Sequence, residues 1–393
     1  MLNEISCRFI REHRSDNVQQ LALQSDRFQI PGLDFKLALQ QIEGRQLVEH
    51  KIPDWFEIDS IFYPKRLSIE QASSQATAIY KASLLQGKTF IDLTGGWGVD
   101  HAFIAPRFEK SVYIEKQKEL ADMAAYNFSV LGLKCTEVVN ADGLEYLQKI
   151  NKVDCIYIDP ARRSKDGKKV VSISNCDPDL SDIQHRLLEK ANKVLIKYSP
   201  MLDITQALQI LNHATEIHAV SVENECKELL FVLEKEEKTP TIHCLNFQKK
   251  GNQEIRFLAT EEKECDIIYT SELESYLYEP NSSILKVGFF KGLTQYYPVK
   301  KIHRDSHLYT STNLISDFPG RIFKINTCYG FNKKGLKSLM AAVKKANLTT
   351  RNFPLKTEEL RKKLDLKDGG QIYLFATTLG ENRVLIQCES VEK

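Results

Sequence analysis

The sequence predicts an α/β fold in which parallel strands alternate with helices, and three observations carry that prediction. In Thr89–Asp100, TFIDLTGGWGVD, a β-branched run meets an acidic residue and then glycines before a helical pattern. That order sets a tight turn at the carboxyl end of a parallel strand, where nucleotide-type ligands bind. A second run, Ser111–Ile114, ends at Glu115, 23 residues after Asp92. Two more runs have acid-bearing ends: Thr136–Val139 before Asn140-Ala141-Asp142-Gly143, and Val153–Ile158 before Asp159-Pro160.

Each element has its own reason. The first strand ends near Asp92, and Gly95, Gly96 and Gly98 allow a close approach that a Cβ would block. The helix starting near Val99 aims its first amides at the same place. Glu115 either bonds ribose hydroxyls or opens the helix Lys116–Leu131. Asp142 either accepts from an adenine amino group or caps the helix beginning near Leu144. Leu67–Leu85 reads as one helix leading into the glycine strand, capped by Ser68, with Ile69, Ala72, Ala76, Ile79 and Ala82 as its apolar stripe. After Pro160 come Arg162, Arg163, Lys165, Lys168 and Lys169, opposed only by Asp166. This run either positions a nucleic-acid backbone or is a solvated charge cluster. Val170–Ile173 reads as a short extended piece, Asp177–Ala191 as a helix, and Lys193–Lys197 and Leu229–Leu233 as the remaining strands.

Composition narrows the class. The 393 residues are 42% hydrophobic and 27% charged, with a net charge of +2, as in a soluble globular protein of two to four domains. No run is long enough to be a transmembrane helix, and MLNEISCRFIREHRSD lacks a signal-peptide core. Nine cysteines without a CxxC pair predict reduced thiols in a cytoplasm. No close Cys/His set points to a metal, so none is expected.

Charge is unevenly spread. From Arg321 to Lys393, fifteen Lys/Arg face seven Asp/Glu, so this stretch carries +8 and the rest of the chain −6. That is the electrostatic footprint of a nucleic-acid-binding appendage, or the basic surface that a small folded domain carries without such a role. Within it, Ile322–Ile325, Ile372–Thr378 and Arg383–Glu389 read as strands, and Lys334–Ala346 and Glu358–Leu364 as helices. Lys333, Lys334, Lys337, Lys344, Lys345, Arg361, Lys362 and Lys363 are the candidate phosphate contacts. The charged run Glu234–Lys238 before Pro240 marks a boundary. Beyond it, Ile242–Phe247, Ile255–Leu258 and Val287–Phe290 read as strands, with Glu272–Tyr278 as a helix. Met1–Arg66 reads as helices broken at Pro31-Gly32 and Pro53.

On these motifs the chain resembles a class I S-adenosylmethionine-dependent methyltransferase of the bacterial group carrying a C-terminal THUMP-like domain. DLTGGWG is similar to the DPxxGxG form of nucleic-acid amino-methyltransferases, with Thr94 where many members have glycine. The resemblance implies a Rossmann-like methyltransferase domain over 67–237, after a helical region over 1–66. It also implies two small α+β domains, ferredoxin-like over 238–320 and THUMP-like over 321–393. Asp92, Thr94, Gly95, Gly96 and Gly98 would then hold the methionine end of S-adenosylmethionine, Glu115 its ribose and Asp142 its adenine. Gln71, Ser73 and Ser74 would give second-tier contacts. Asp159 and the Pro160 carbonyl would serve catalysis, facing the acceptor.

In the related DPPY-type sites a proline–aromatic pair follows, and the ring stacks on a base. Here Ala161-Arg162 stands in its place, leaving Trp97 and Tyr198 as replacements or as packing residues. Arg162 and Arg163 would bind substrate. Asp-Pro-Ala-Arg also echoes uracil-C5 methyltransferases, but Tyr198-Ser199-Pro200-Met201 offers no cysteine nucleophile after the next strand. The expected function is a cytoplasmic methyltransferase that N-methylates a base in structured RNA, without a membrane or metal partner. The alternatives are a methyltransferase for a protein or small molecule, and a non-catalytic cofactor-binding RNA-binding protein.

Overall fold

β-Branched runs bounded by glycine, proline or acid supply the strands of two units. The computed structural model describes residues 3–162, 173, 176–181 and 183–391. Met1–Thr215 and Leu230–Glu237 form the first unit, and Glu216–Leu229 and Lys238–Lys393 the second.

In the first unit, β1 (Thr89–Asp92), β2 (Lys110–Ile114), β3 (Thr136–Val139), β4 (Val153–Ile158) and β5 (Ala191–Tyr198) are parallel. The start of β6 (Ala214–Val222) and the end of β7 (Glu225–Glu234) complete the order β3-β2-β1-β4-β5-β7-β6. Because the chain winds outward from β1 in both directions, the β1/β4 boundary is a topological switch point, where a crevice opens at the strands' carboxyl ends. Residues Val48, Ile52, Trp55, Ile61 and Tyr63 of the helical N-terminal region share one core with Trp97, Val99, Tyr113 and Phe128. Each such large side chain contributes roughly 1.5–3 kcal/mol when fully buried. Asn127 pins this arrangement by accepting from Phe62 N at 2.8 Å and donating to Phe62 O at 2.9 Å.

Two expected helices differ. Leu67–Leu85 is split into Arg66–Gln71 and Gln75–Ser83. Ala72 is extended, and Ser74, not Ser68, caps the second piece. The break resets the helical phase. Ile79 is therefore half-exposed, while Thr77, Ala78, Lys81 and Ala82 are buried. The helix expected over Asp177–Ala191 begins at Gln184, because Cys176-Asp177 pair with Ala161-Arg162 in a two-residue ribbon. The basic run from Arg163 and the extended piece from Val170 lie outside the described residues, apart from the buried Ile173.

In the second unit, β8 (Thr241–Phe247) runs parallel to β6 and antiparallel to β9 (Gln253–Leu258). A separate sheet holds β10 (Tyr276–Pro280), β11 (Lys300–Lys301), β12 (Tyr309–Ser311), β13 (Gly320–Gly330), β14 (Asn347–Thr350), β15 (Ile372–Leu379) and β16 (Asn382–Ser390). Their order is β11-β12-β10-β13-β16-β15-β14. The helix expected over Glu272–Tyr278 is instead the strand β10, whose Leu277 and Tyr278 are buried. Pro280 would in any case have ended a helix. The strand expected over Val287–Phe290 begins inside the helix Ser282–Val287, which Asn281 caps and Gly288 terminates with φ 81°. Helices Lys333–Ala342 and Thr357–Lys363 bury Leu339 and Leu360 against Leu348, Leu374 and Leu385. Among the described residues, no helix is long and apolar enough to cross a membrane.

Candidate active site

The turn after β1 is built on steric need. A Cβ on Gly95 would lie 2.2 Å from the Tyr113 ring, so only glycine fits. Gly96 has φ +61°, and a Cβ there would meet nothing nearer than Thr94 O at 4.0 Å. Tyr113 donates its hydroxyl hydrogen to Gly96 O, fixing the loop from below. Gly98, with φ 88°, leads into the helix Val99–Ile104.

The acids at the strand ends converge on this turn. Buried Asp92 accepts from Thr94 N at 3.0 Å. Burial pushes the Asp92 carboxyl well up, against the Thr94 N–H bond, and the nearby Asp100, Asp159 and Glu115 add to the rise. His101 stands 3.7 Å from Asp92, but burial lowers its pKa to about 3, so the ring is neutral and the contact is not an ion pair. Glu115 accepts from Gly96 N at 2.8 Å and Gln117 N at 2.7 Å, joining the ends of β1 and β2. Asp142 is exposed and caps its helix by accepting from Leu144 N at 2.9 Å. Ser74 is spent as a cap, and Gln71 is exposed at a helix end.

Asp159 follows β4 directly. Its backbone N–H donates to Thr94 Oγ1 at 2.6 Å, and its carboxylate meets Lys197 Nζ. Lys197 also lies 3.9 Å from Asp100 Oδ2. Lys81, fully buried, stands 3.2 Å from Asp100 Oδ1. Ser73 and Tyr157 donate to Asp100 Oδ2 at 2.8 and 2.7 Å. Burial alone would raise the Asp100 carboxyl; Lys81, Lys197 and the two hydroxyls outweigh it and hold it below its ordinary value.

Lys81, Asp100, Tyr157 and Lys197 were not singled out by sequence reasoning, whereas Ser73 was expected as a second-tier cofactor contact and instead bonds Asp100. A signal existed for the lysines: each interrupts an apolar stretch, Lys81 within ATAIYKAS and Lys197 within VLIKY.

Two expected substrate contacts are packing residues. Trp97 is buried, its ring edge-on to Trp55 at 4.8 Å and its indole N–H donating to Phe62 O at 3.2 Å. Tyr198 is buried beside Phe231, and burial drives its phenol pKa far up. Both rings sit where apolar neighbours outcompete an exposed face. Arg162 lies in the short ribbon, and Arg163 falls outside the described residues. Cys155 is buried, with its thiol pushed up to about 11, which suits an inert strand residue. In the second unit, strand register brings Glu216, His218 and His243 together, with one ligand atom from each within 4.8 Å of the others. Sequence spacing did not reveal that grouping.

Comparison with known proteins adds family evidence. Residues 320–390 match a THUMP domain-like family model, and residues 276–319 match a ferredoxin-like domain model. A candidate methyltransferase from Porphyromonas gingivalis W83 superposes over 99% of this chain and 98% of its own, with 34% identity and a TM-score of 0.89. An rRNA methylase from Streptococcus thermophilus aligns with 41% of this chain and 96% of its own, at 16% identity and a TM-score of 0.31. A candidate methyltransferase from Streptococcus mutans, solved with SAH, aligns with 41% and 97%, at 15% identity and a TM-score of 0.31. No curated protein matches the chain.

Proposed function

The chain belongs to the class I S-adenosylmethionine-dependent methyltransferases carrying a C-terminal THUMP-like domain, and from that premise we propose that it methylates structured RNA in the cytoplasm. The observation that carries this reading is the meeting of Asp92, Glu115, Asp100 and Asp159 around a glycine turn at the switch point of the sheet.

The residues present fit a cationic nucleoside cofactor. Asp92 is a buried acid held towards its neutral form, which a neighbouring positive group would recharge. The backbone at Gly96 is open to close approach. Asp92, Thr94, Gly95, Gly96 and Gly98 would hold the methionine end, Glu115 the ribose and Asp142 the adenine, with Gln71 and Ser74 further out. When bound, S-adenosylmethionine supplies an electrophilic methyl group on a sulfonium. The chain's own part is to position the acceptor, exclude water and receive the acceptor's proton. Asp159 and the Pro160 carbonyl face the acceptor, and Arg162 and Arg163 would steady the RNA backbone.

Support for RNA comes from the second unit. Lys333, Lys334, Lys337, Lys344, Lys345, Lys362 and Lys363 are all exposed there. A cleft of about 490 Å³ is lined in part by Phe353, Lys356 and Arg383, an aromatic face beside two cations. The amino-methylation expected from the sequence asks for a ring stacked on the base. Trp97 and Tyr198 do not supply one, so the charged groups around Asp159 decide the acceptor atom.

Calorimetry with S-adenosylmethionine tests the cofactor site: binding is expected, and both Asp92→Ala and Glu115→Ala should weaken it. Binding that neither change affects would sink the assignment. Labelled methyl transfer tests the substrate class, with RNA expected to take the label and Asp159→Ala expected to abolish transfer. Label entering only protein would refute RNA as the substrate.

A further inference from the structure

Given transfer to RNA, as proposed above, we infer that the acceptor is the ribose 2′-hydroxyl, with Asp159 taking its proton and Lys197 holding its oxygen. β4 and β5 pair Ile158 with Ile196, so Asp159 and Lys197 leave adjacent parallel strands side by side. The Lys197 side chain is 13% exposed and that of Asp159 is 36% exposed. The carboxylate therefore reaches the open end of the site with the ammonium against it. Behind them Asp100 is fixed by Lys81, Ser73 and Tyr157, and it holds Lys197 as a positioning residue.

The sign of that charge discriminates between acceptors. A neutral amine gains positive charge as it takes a methyl group, so an ammonium beside it opposes transfer. A hydroxyl losing its proton gains negative charge, so the same ammonium favours transfer. In the balanced step, the hydroxyl oxygen bonds to the methyl carbon as that carbon's bond to sulfur breaks, with the bonding pair staying on sulfur. The hydroxyl proton passes to the Asp159 carboxylate and then to solvent. Lys197 keeps its proton throughout and donates a hydrogen bond to the oxygen.

RNA carries this aliphatic hydroxyl on its internal nucleotides. A ribose acceptor also needs no stacked base, in keeping with the packed positions of Trp97 and Tyr198.

The test gives the full-length protein unmodified transcripts of ribosomal and transfer RNA with methyl-labelled S-adenosylmethionine, then digests the RNA to nucleosides. Label in 2′-O-methylnucleosides, protecting the adjacent linkage from alkali, is expected. Label in base-methylated nucleosides overturns the hydroxyl acceptor and leaves RNA as the substrate; no label in RNA overturns both. Lys197→Met should lower kcat about 100-fold or more, with transcript affinity in filter binding unchanged. It should also lower the thermal midpoint, because Asp100 and Asp159 lose a little-exposed ion-pair partner. An unchanged kcat in that variant overturns the role of Lys197. The product analysis uses the unaltered protein, so it decides the acceptor even where a variant fails to fold.

Discussion

The Thr94 hydroxyl accepts the backbone N–H of Asp159 at 2.6 Å, so the glycine turn after β1 and the acid-proline end of β4 form one hydrogen-bonded assembly. The side chain that departs from the commoner glycine of the motif therefore sets where Asp159 leaves β4. Removing it leaves the Asp159 N–H without that bond, at a cost of about 1–3 kcal/mol. Thr94→Ala should lower kcat more than it weakens cofactor binding, and Thr94→Ser should restore most of the loss. Steady-state kinetics beside calorimetry checks this, and an equal loss in both quantities would argue against it.

Gly95 offers a purely steric prediction. An added methyl would overlap the buried Tyr113 ring, and overpacking of this kind costs about 1–3 kcal/mol. Gly95→Ala should lower the thermal midpoint and weaken cofactor binding together. If neither changes, the turn is not held as described.

Asp92 predicts a pH dependence. Its folded pKa lies above its ordinary value because of burial, so between those two values the folded cofactor-free protein binds more protons than the unfolded chain. Stability from this group is present below the ordinary carboxylate range and falls as pH rises through the folded value. A bound cation favours the ionised carboxylate, so cofactor affinity should rise with pH over the same window, with proton release. Asp92→Asn should flatten both trends. Thermal melts and calorimetry in buffers of different ionisation heat, kept below about pH 7.5 to avoid α-amino titration, provide the check.

The exposed lysines of the second unit predict a salt signature. For every phosphate that a lysine no longer neutralises, the slope of log affinity against log salt should shrink by roughly 0.7–0.9. Replacing Lys333, Lys334 and Lys337 together by alanine should weaken transcript binding and flatten that slope. Binding with an unaltered slope would move the RNA surface elsewhere.

Much of the first unit is legible in the amino-acid order alone. The strand limits Thr136–Val139 and Val153–Ile158 agree with the expectation, because β-branched runs between turn residues state their own boundaries. The glycine turn and the acidic strand ends are legible for the same local reason. Less is legible in the second unit, where Tyr276–Pro280 and Ser282–Val287 exchange the expected strand and helix. Burial between neighbouring strands overrides local preference there.

By itself the sequence determined the alternation of strands and helices, the glycine turn and the family. The first two follow from periodicity and local backbone chemistry, and the family from the resemblance that the motifs carry. Only the tertiary structure decided that Trp97 is core, that Lys81 is buried against Asp100, and that Lys197 meets Asp159. Asp159, just past the end of β4, and Lys197, within β5, are neighbours only because the β4–β5 register makes them so. The charge of an acid at a strand end depends on what it faces, and no local pattern in the chain states that partner.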